Sequence, residues 1–369
     1  MSAPAGIYVH IPFCLTRCGY CDFNAYAGMD GLKPRYLAAL LREAELTAPG
    51  WAGTQFVSVF LGGGTPTTME PADLRALLAH LRDRFEMTPD AEVTTEANPD
   101  TVTEASLIGL LEAGFARLSI GAQSFDPAVL RSLERIHQPR SVRAAVAAAR
   151  RAGFRNLSLD LIYGANGESL ESWRRTLDET LSLGPEHVSA YALTIEPATA
   201  LGREVAAGEV PGPDPDLQAD MFLLACDVLG DAGYGHYEIS NWARPGFECV
   251  HNLGYWERRA YVGLGAGAHG YRDDVRWWNV RPPETYMEKV ESGELPIGGS
   301  ELLDPSDAYL EEVFLKLRIL QGVPASWFDA GRYEPYVQSG LLVDDLGQLV
   351  PTERGMLLLN ELVLGLTAG

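Results

Sequence analysis

The chain has 369 residues, 46% of them hydrophobic, which is enough for one large domain and a smaller one around a substantial core. A net charge of −21 repels phosphate backbones and excludes nucleic acid as an expected partner. No uninterrupted apolar run approaches the roughly 20 residues of a membrane helix, and Met1–Gly6 lacks the basic and apolar parts of a secretory leader, so a cytoplasmic, reducing setting is expected.

Over the first 190 or so residues, short β-branched runs alternate with amphipathic stretches. Strands are predicted at Ile7–Ile11, Val57–Leu61, Glu92–Glu96, Arg117–Ile120, Asn156–Ile162 and His187–Tyr191. Helices are predicted at Arg35–Leu46, Pro71–Phe85, Thr103–Ala113, Ser141–Ala152 and Leu170–Leu183; Leu74, Leu77, Leu78 and Leu81 form one helical face. Alternating β and α elements imply a parallel sheet with helices outside it, as a partial barrel or an open sheet, with functional loops at the carboxyl ends of the strands. The chain's polar motifs fall at those ends. After about residue 195 the pattern changes: a helix over Leu217–Leu229, a strand within Gly233–Ser240, the run His251–Trp256 and a glycine-rich loop to Gly270. From about Asp304 a tail of helix Tyr309–Leu320, a helical patch, a hairpin turn at Asp344–Gly347 and a final helix Thr352–Leu364 reads as a small, mostly helical, winged-helix-like module. The expected divisions are residues 1–200, 201–303 and 304–369.

Behind the first strand stand Cys14, Cys18 and Cys21, spaced Cys-x3-Cys-x2-Cys. Three thiolates on one short loop can hold a [4Fe–4S] cluster by three irons and leave the fourth open to a small ligand. A disulfide framework fits poorly, because the chain has five cysteines and three are crowded together. A structural zinc site needs four ligands, and the fourth could be only His10 or something distant. The run Gly62-Gly63-Gly64-Thr65 follows the second strand, where glycines allow close backbone approach and offer unobstructed N–H groups. Glu96 closes the third strand, and Arg135 is read on a helix. Asp160 sits between Leu159 and Leu161 in an apolar strand, where a carboxylate must be paired or face a cavity. His251, Tyr255 and Trp256 combine imidazole with aromatic surface, which suits either haem or core packing. His269 carries the same ambiguity. Gly265-x-Gly267-x-x-Gly270 lacks the helix a dinucleotide fingerprint needs. Cys226 is expected to be buried, whereas Cys249, beside His251, leaves its role open.

Together Tyr8-Val-His10-Ile-Pro-Phe-Cys14, Cys18, Cys21, Gly-Gly-Gly-Thr-Pro-Thr, Glu96-Ala-Asn-Pro, Ser119-Ile-Gly-Ala-Gln123 and Asp160-Leu-Ile-Tyr-Gly resemble the radical S-adenosylmethionine (SAM) superfamily, in its oxygen-independent coproporphyrinogen III oxidase-like branch. The resemblance implies an α/β fold, a partial (β/α)6 TIM-type barrel with the cluster near its mouth, and SAM on the open iron. It implies that Tyr8 and Tyr20 flank SAM, that Gly63, Gly64 and Thr65 receive its methionine end, and that Glu96, Gln123, Arg135 and Asp160 contact its ribose and amino-acid parts. It also implies an electron donor for the cluster. Two departures from the oxidases matter. Asp22 and Phe23 follow Cys21 where the oxidases place a further cysteine, and only thirteen residues precede Cys14 where the oxidases carry a longer cover. His251-Asn-x-x-Tyr255-Trp256 is similar to a motif tied to haem binding in the branch's chaperones. The expected function is therefore a haem chaperone passing haem to an acceptor protein, a membrane-bound respiratory protein being one candidate, as monomer or cluster-dependent dimer. Porphyrinogen oxidation and a zinc-stabilised binding protein are the alternatives.

Overall fold

The computed structural model describes residues 4–367. Strands β1 (Ala5–Ile11), β2 (Gln55–Gly63), β3 (Glu86–Ala97), β4 (Arg117–Gln123), β5 (Asn156–Tyr163) and β6 (His187–Ala192) lie side by side and parallel in chain order. Between them run helices α1 (Lys33–Thr47), α2 (Pro71–Arg84), α3 (Glu104–Ala113), α4 (Pro127–Ser132), α5 (Pro139–Ala152) and α6 (Leu170–Leu183). Helix α6 shows the local logic. The Ser169 side chain accepts from Ser172 N–H at its start, and Gly184 takes the left-handed conformation at its end.

Strand alternation sorts the sheet into two faces. Ile7, Val9, Val59, Leu118, Ile120, Leu159, Leu161 and Val188 are fully buried beneath helices, with Leu74, Leu77 and Leu81 of α2 among the residues they join. Each such side chain contributes about 1.5–3 kcal/mol on burial. The opposite face, carrying Tyr8, Glu96 and Asp160, bounds a cavity. Residues from β1 through β6 share that cavity, so the sheet curves around it as a partial (β/α)6 barrel.

The sheet extends well past the six expected strands. After α7 (Ala200–Ala206) and α8 (Pro215–Asp231), β7 (Gly235–Glu238) and β8 (Asn241–Ala243) continue it antiparallel beyond β6. After α9 (Val250–Trp256), β9 (Tyr261–Leu264) pairs parallel with β1, and β10 (His269–Arg272), β11 (Val275–Asn279) and β12 (Ile297–Leu302) follow antiparallel, with α10 (Pro283–Glu291) between the last two. The order is β12-β11-β10-β9-β1-β2-β3-β4-β5-β6-β8-β7, with free edges at β12 and β7. The sheet is open and mixed, not a closed barrel.

The tail comprises α11 (Pro305–Lys316), β13 (Val323–Pro324), α12 (Ala330–Gln338), the β14 (Leu342–Asp345) and β15 (Gln348–Pro351) hairpin, α13 (Glu353–Leu357) and α14 (Leu359–Thr367). Val313, Leu317, Leu342, Leu349 and Leu362 give it a core of its own. The single final helix expected there is broken at Leu358. The break lets Met356 face the main core while Leu359 and Leu362 face the tail's. Among the described residues no helix is long and apolar enough to cross a membrane.

Candidate functional site

The cavity inside the curved sheet measures about 450 Å³, and every predicted site residue except Trp256 lines it. Alternation explains why. Asp160 points inward because its neighbours Leu159 and Leu161 point to the helices, and Glu96 and Tyr8 do the same on β3 and β1.

The cysteine loop closes the carboxyl end of β1. Cys14 belongs to a two-residue strand, Phe13–Cys14, paired with Tyr26–Ala27, and the Cys21 N–H donates to the Cys18 carbonyl at 3.2 Å. All three thiols are partly exposed, free of disulfides, and face the cavity. Arg135 Nη1 donates to Cys18 Sγ at 3.4 Å, and Cys14 Sγ lies 3.7 Å from Thr65 Oγ1. The far end of the loop is tied down through His10, whose Nε2 lies 2.9 Å from the Asn24 carbonyl and whose Nδ1 lies 3.0 Å from the Tyr8 hydroxyl. Both nitrogens of the one nearby candidate for a fourth zinc ligand are thus engaged. Among the described residues no three His, Cys, Asp or Glu side chains gather closely enough for a single ion. A cluster makes a different demand, since each thiolate meets its own iron, and three thiols around a roomy cavity fit it.

The N–H groups from Gly63 to Thr65 are engaged within the protein: Gly63 N donates to Glu96 Oε2 at 3.2 Å, Gly64 N to the Ile11 carbonyl at 2.8 Å and Thr65 N to the Phe13 carbonyl at 2.7 Å. A Cβ on Gly64 would stand 2.7–2.9 Å from the backbone of Ile11, Pro12 and Phe13. The glycines therefore let β2 and the cysteine loop touch backbone to backbone, which positions the cysteines.

Arg135 stands in a loop, not on a helix. Helix α4 ends at Ser132 and Glu134 adopts positive φ, which turns the chain so that Arg135 reaches inward. Its Nη2 donates to the Gly121 carbonyl at 3.1 Å, and its Nε is buried without a protein partner. Burial pushes the Glu96 carboxyl up to about 8, reinforced by Asp160 and opposed by the Gly63 N–H and Arg117. Burial also raises Asp160, against donated hydrogen bonds from Ser119 Oγ at 2.8 and 2.9 Å and Ser158 Oγ at 3.0 Å. Arg117, unremarked in the sequence, is 2% exposed, has no protein partner for its Nε, and lines the same cavity. The available signal was a charged side chain opening a strand whose Leu118, Ile120 and Ala122 are apolar.

Helix α9 fills the bottom of the curved sheet. Glu92 of β3 receives the N–H groups of Val250 and His251, each at 3.2 Å, and the Cys249 thiol at 3.5 Å, so a carboxylate stands at the helix start. His251 is 3% exposed, with Nδ1 2.9 Å from Ser58 Oγ and Nε2 2.9 Å from the Tyr255 hydroxyl. Its ring stacks on Phe60 at 5.2 Å, and Gly6 leaves it room, since a Cβ there would approach Nδ1 to 3.1 Å. Burial, aided by Arg117, lowers its pKa to about 3. Trp256 faces elsewhere: Arg318 lies 4.6 Å over its ring. Cys249 and Cys226 are both buried, and the glycine-rich run after Gly265 leads into strand β10.

Residues 8–180 match the Radical SAM superfamily model. The chain is 45% identical over 366 residues to the haem chaperone HemW of Mycobacterium tuberculosis, covering 98% of this chain and 94% of that protein. It is 34% identical to the haem chaperone HemW of Escherichia coli, covering 98% and 97%. Among solved structures, coproporphyrinogen III oxidase (HemN) from Escherichia coli, a radical SAM enzyme, superposes with a TM-score of 0.86 at 26% identity, covering 100% of this chain and 91% of that one. Full-length similarity of this strength shows that the chain belongs to the haem chaperone HemW family of the radical SAM superfamily.

Proposed function

We propose that the protein is a haem chaperone that carries a [4Fe–4S] cluster with exchangeable SAM and delivers haem to an acceptor protein. The observation that carries this reading is that the cysteine loop and helix α9 face one cavity. Cys14, Cys18 and Cys21 would hold the cluster, which when bound supplies an open iron for SAM and an electron for its reductive cleavage. Tyr8 and Tyr20 flank the SAM space, and Gly63, Gly64 and Thr65 bound its methionine end. Glu96, Gln123, Arg135 and Asp160 offer polar contacts, with the unpartnered Arg135 Nε available to a carboxylate. His251, Tyr255 and Trp256 form the haem-associated segment. Tyr255 lines the cavity, while His251 can reach iron only by giving up Ser58 and the Tyr255 hydroxyl. The setting proposed is the cytoplasm, with an electron donor for the cluster and an acceptor that includes membrane-bound respiratory proteins, as monomer or cluster-dependent dimer.

Anaerobic titration of haem into protein with reconstituted cluster, followed in the Soret region with and without SAM, tests this reading. Saturable binding and transfer to an acceptor apoprotein support it; absence of saturable binding overturns it. The HemN likeness favours one second reading, radical oxidative decarboxylation of coproporphyrinogen III. Anaerobic turnover forming protoporphyrinogen IX would establish that reading. Phe23, 60% exposed where the oxidases place a cysteine, argues against it.

A further inference from the structure

A second cavity of about 630 Å³ adjoins the first, and Tyr8, Glu96 and Tyr255 form part of both walls. Its other wall is built from β10, β11 and the loop after them, through His269, Trp278 and Arg281. His269 and Trp278 are directly opposed in the antiparallel β10–β11 pair, so they share one face, with ring centroids 6.0 Å apart and planes inclined by 31°. Gly299 of β12 lies under the Trp278 indole, where any side chain would displace it.

An iron porphyrin asks three things of a protein: an imidazole with a free nitrogen, flat apolar surface, and cations for its propionates. Of the chain's seven histidines, His10, His80, His137, His187, His236 and His251 all hydrogen-bond within the protein, His10, His187, His236 and His251 through both ring nitrogens. His269 is exposed, and among the described residues neither of its ring nitrogens has a hydrogen-bond partner. Arg281 is likewise exposed, and its guanidinium forms no ion pair among the described residues; only its backbone carbonyl is used, by Asn24. Free imidazole, free guanidinium and indole thus meet in one cavity, beside the exposed Phe23 ring.

We propose that this second cavity holds the haem, with His269 as the iron ligand, Trp278 against the macrocycle and Arg281 on a propionate. The inference rests on the haem-binding reading above and names its site. It places haem across the Tyr8, Glu96 and Tyr255 wall from the SAM space, and leaves His251 as the residue that holds α9 in position.

The test uses full-length protein with reconstituted cluster, titrated anaerobically with haem and, separately, with haem dimethyl ester. Wild type should bind haem saturably. His269→Ala should lower affinity by about tenfold or more and shift the Soret band, with added imidazole restoring the band. Arg281→Ala should weaken binding of haem but leave the dimethyl ester unchanged. Both side chains are exposed, and unchanged far-UV circular dichroism and iron content would show that the variants fold. If wild type binds haem while His269→Ala matches it in affinity and Soret position, the inference is overturned and the haem reading stands. If wild type shows no saturable binding, the haem reading itself fails.

Discussion

Replacing His251 by alanine separates two roles for the most conspicuous residue of α9. The imidazole is 3% exposed, lies 2.9 Å from both Ser58 Oγ and the Tyr255 hydroxyl, and stacks on Phe60. Ser58 is 2% exposed, so its hydroxyl would lose its partner out of reach of bulk water, at about 1–3 kcal/mol. Tyr255 lines both cavities and can exchange its bond for water at little cost. Emptying the ring volume adds about 1–2 kcal/mol, below the Phe→Ala range because imidazole is less apolar. His251→Ala should therefore lose about 3 kcal/mol of stability, a large share of the roughly 5–15 kcal/mol of a typical domain. Urea denaturation followed by circular dichroism and tryptophan fluorescence reads the shift in midpoint, and haem titration of the same variant reads the ligand role. A stability within about 0.5 kcal/mol of wild type, together with a lost Soret band, would refute the packing account and make His251 the ligand.

Gly64→Ala sets a Cβ against the backbone of Pro12 and Phe13, so the cysteine loop must shift; iron and sulfide per chain should fall well below wild type on anaerobic reconstitution. Glu92→Ala removes the carboxylate that receives Val250 N–H and His251 N–H; it should cost about 2 kcal/mol by denaturation and loosen α9, seen as faster amide exchange there. Glu43 is buried and receives Tyr286 Oη–H and Asn279 Nδ2–H, both at 2.6 Å, and Gly265 N–H at 2.7 Å. Burial outweighs those bonds and pushes its carboxyl from 4.5 up to about 7. The folded chain then holds a proton that the unfolded chain releases, so stability falls as pH rises through the window from 4.5 to about 7. Glu43→Gln should flatten that slope, and a slope unchanged from wild type would exclude Glu43 as its source.

The six parallel strands, the helices of the first half and the ring of polar residues at strand ends were legible because local periodicity encodes them. Leu159-Asp160-Leu161 needs only alternation to place a carboxylate inside, and three cysteines within eight residues define a loop whatever surrounds it. Strands β9 to β12 were harder to read. They are short, and their partners are distant in sequence: β9 pairs with β1 some 250 residues away. Helix α9 was hidden for a similar reason. Its seven residues include Gly254, and its start is held by Glu92 from another strand and not by a local cap.

Sequence alone therefore determined the chemistry on offer, namely three thiols, a set of carboxylates and arginines, and a few histidines. Tertiary structure decided which of these groups are free to act. Hydrogen-bond partners come from anywhere in the chain, so no local pattern reveals that the Gly63–Thr65 N–H groups are already taken, that Ser58 and Tyr255 engage both nitrogens of His251, or that His269, at the start of β10, keeps both of its own.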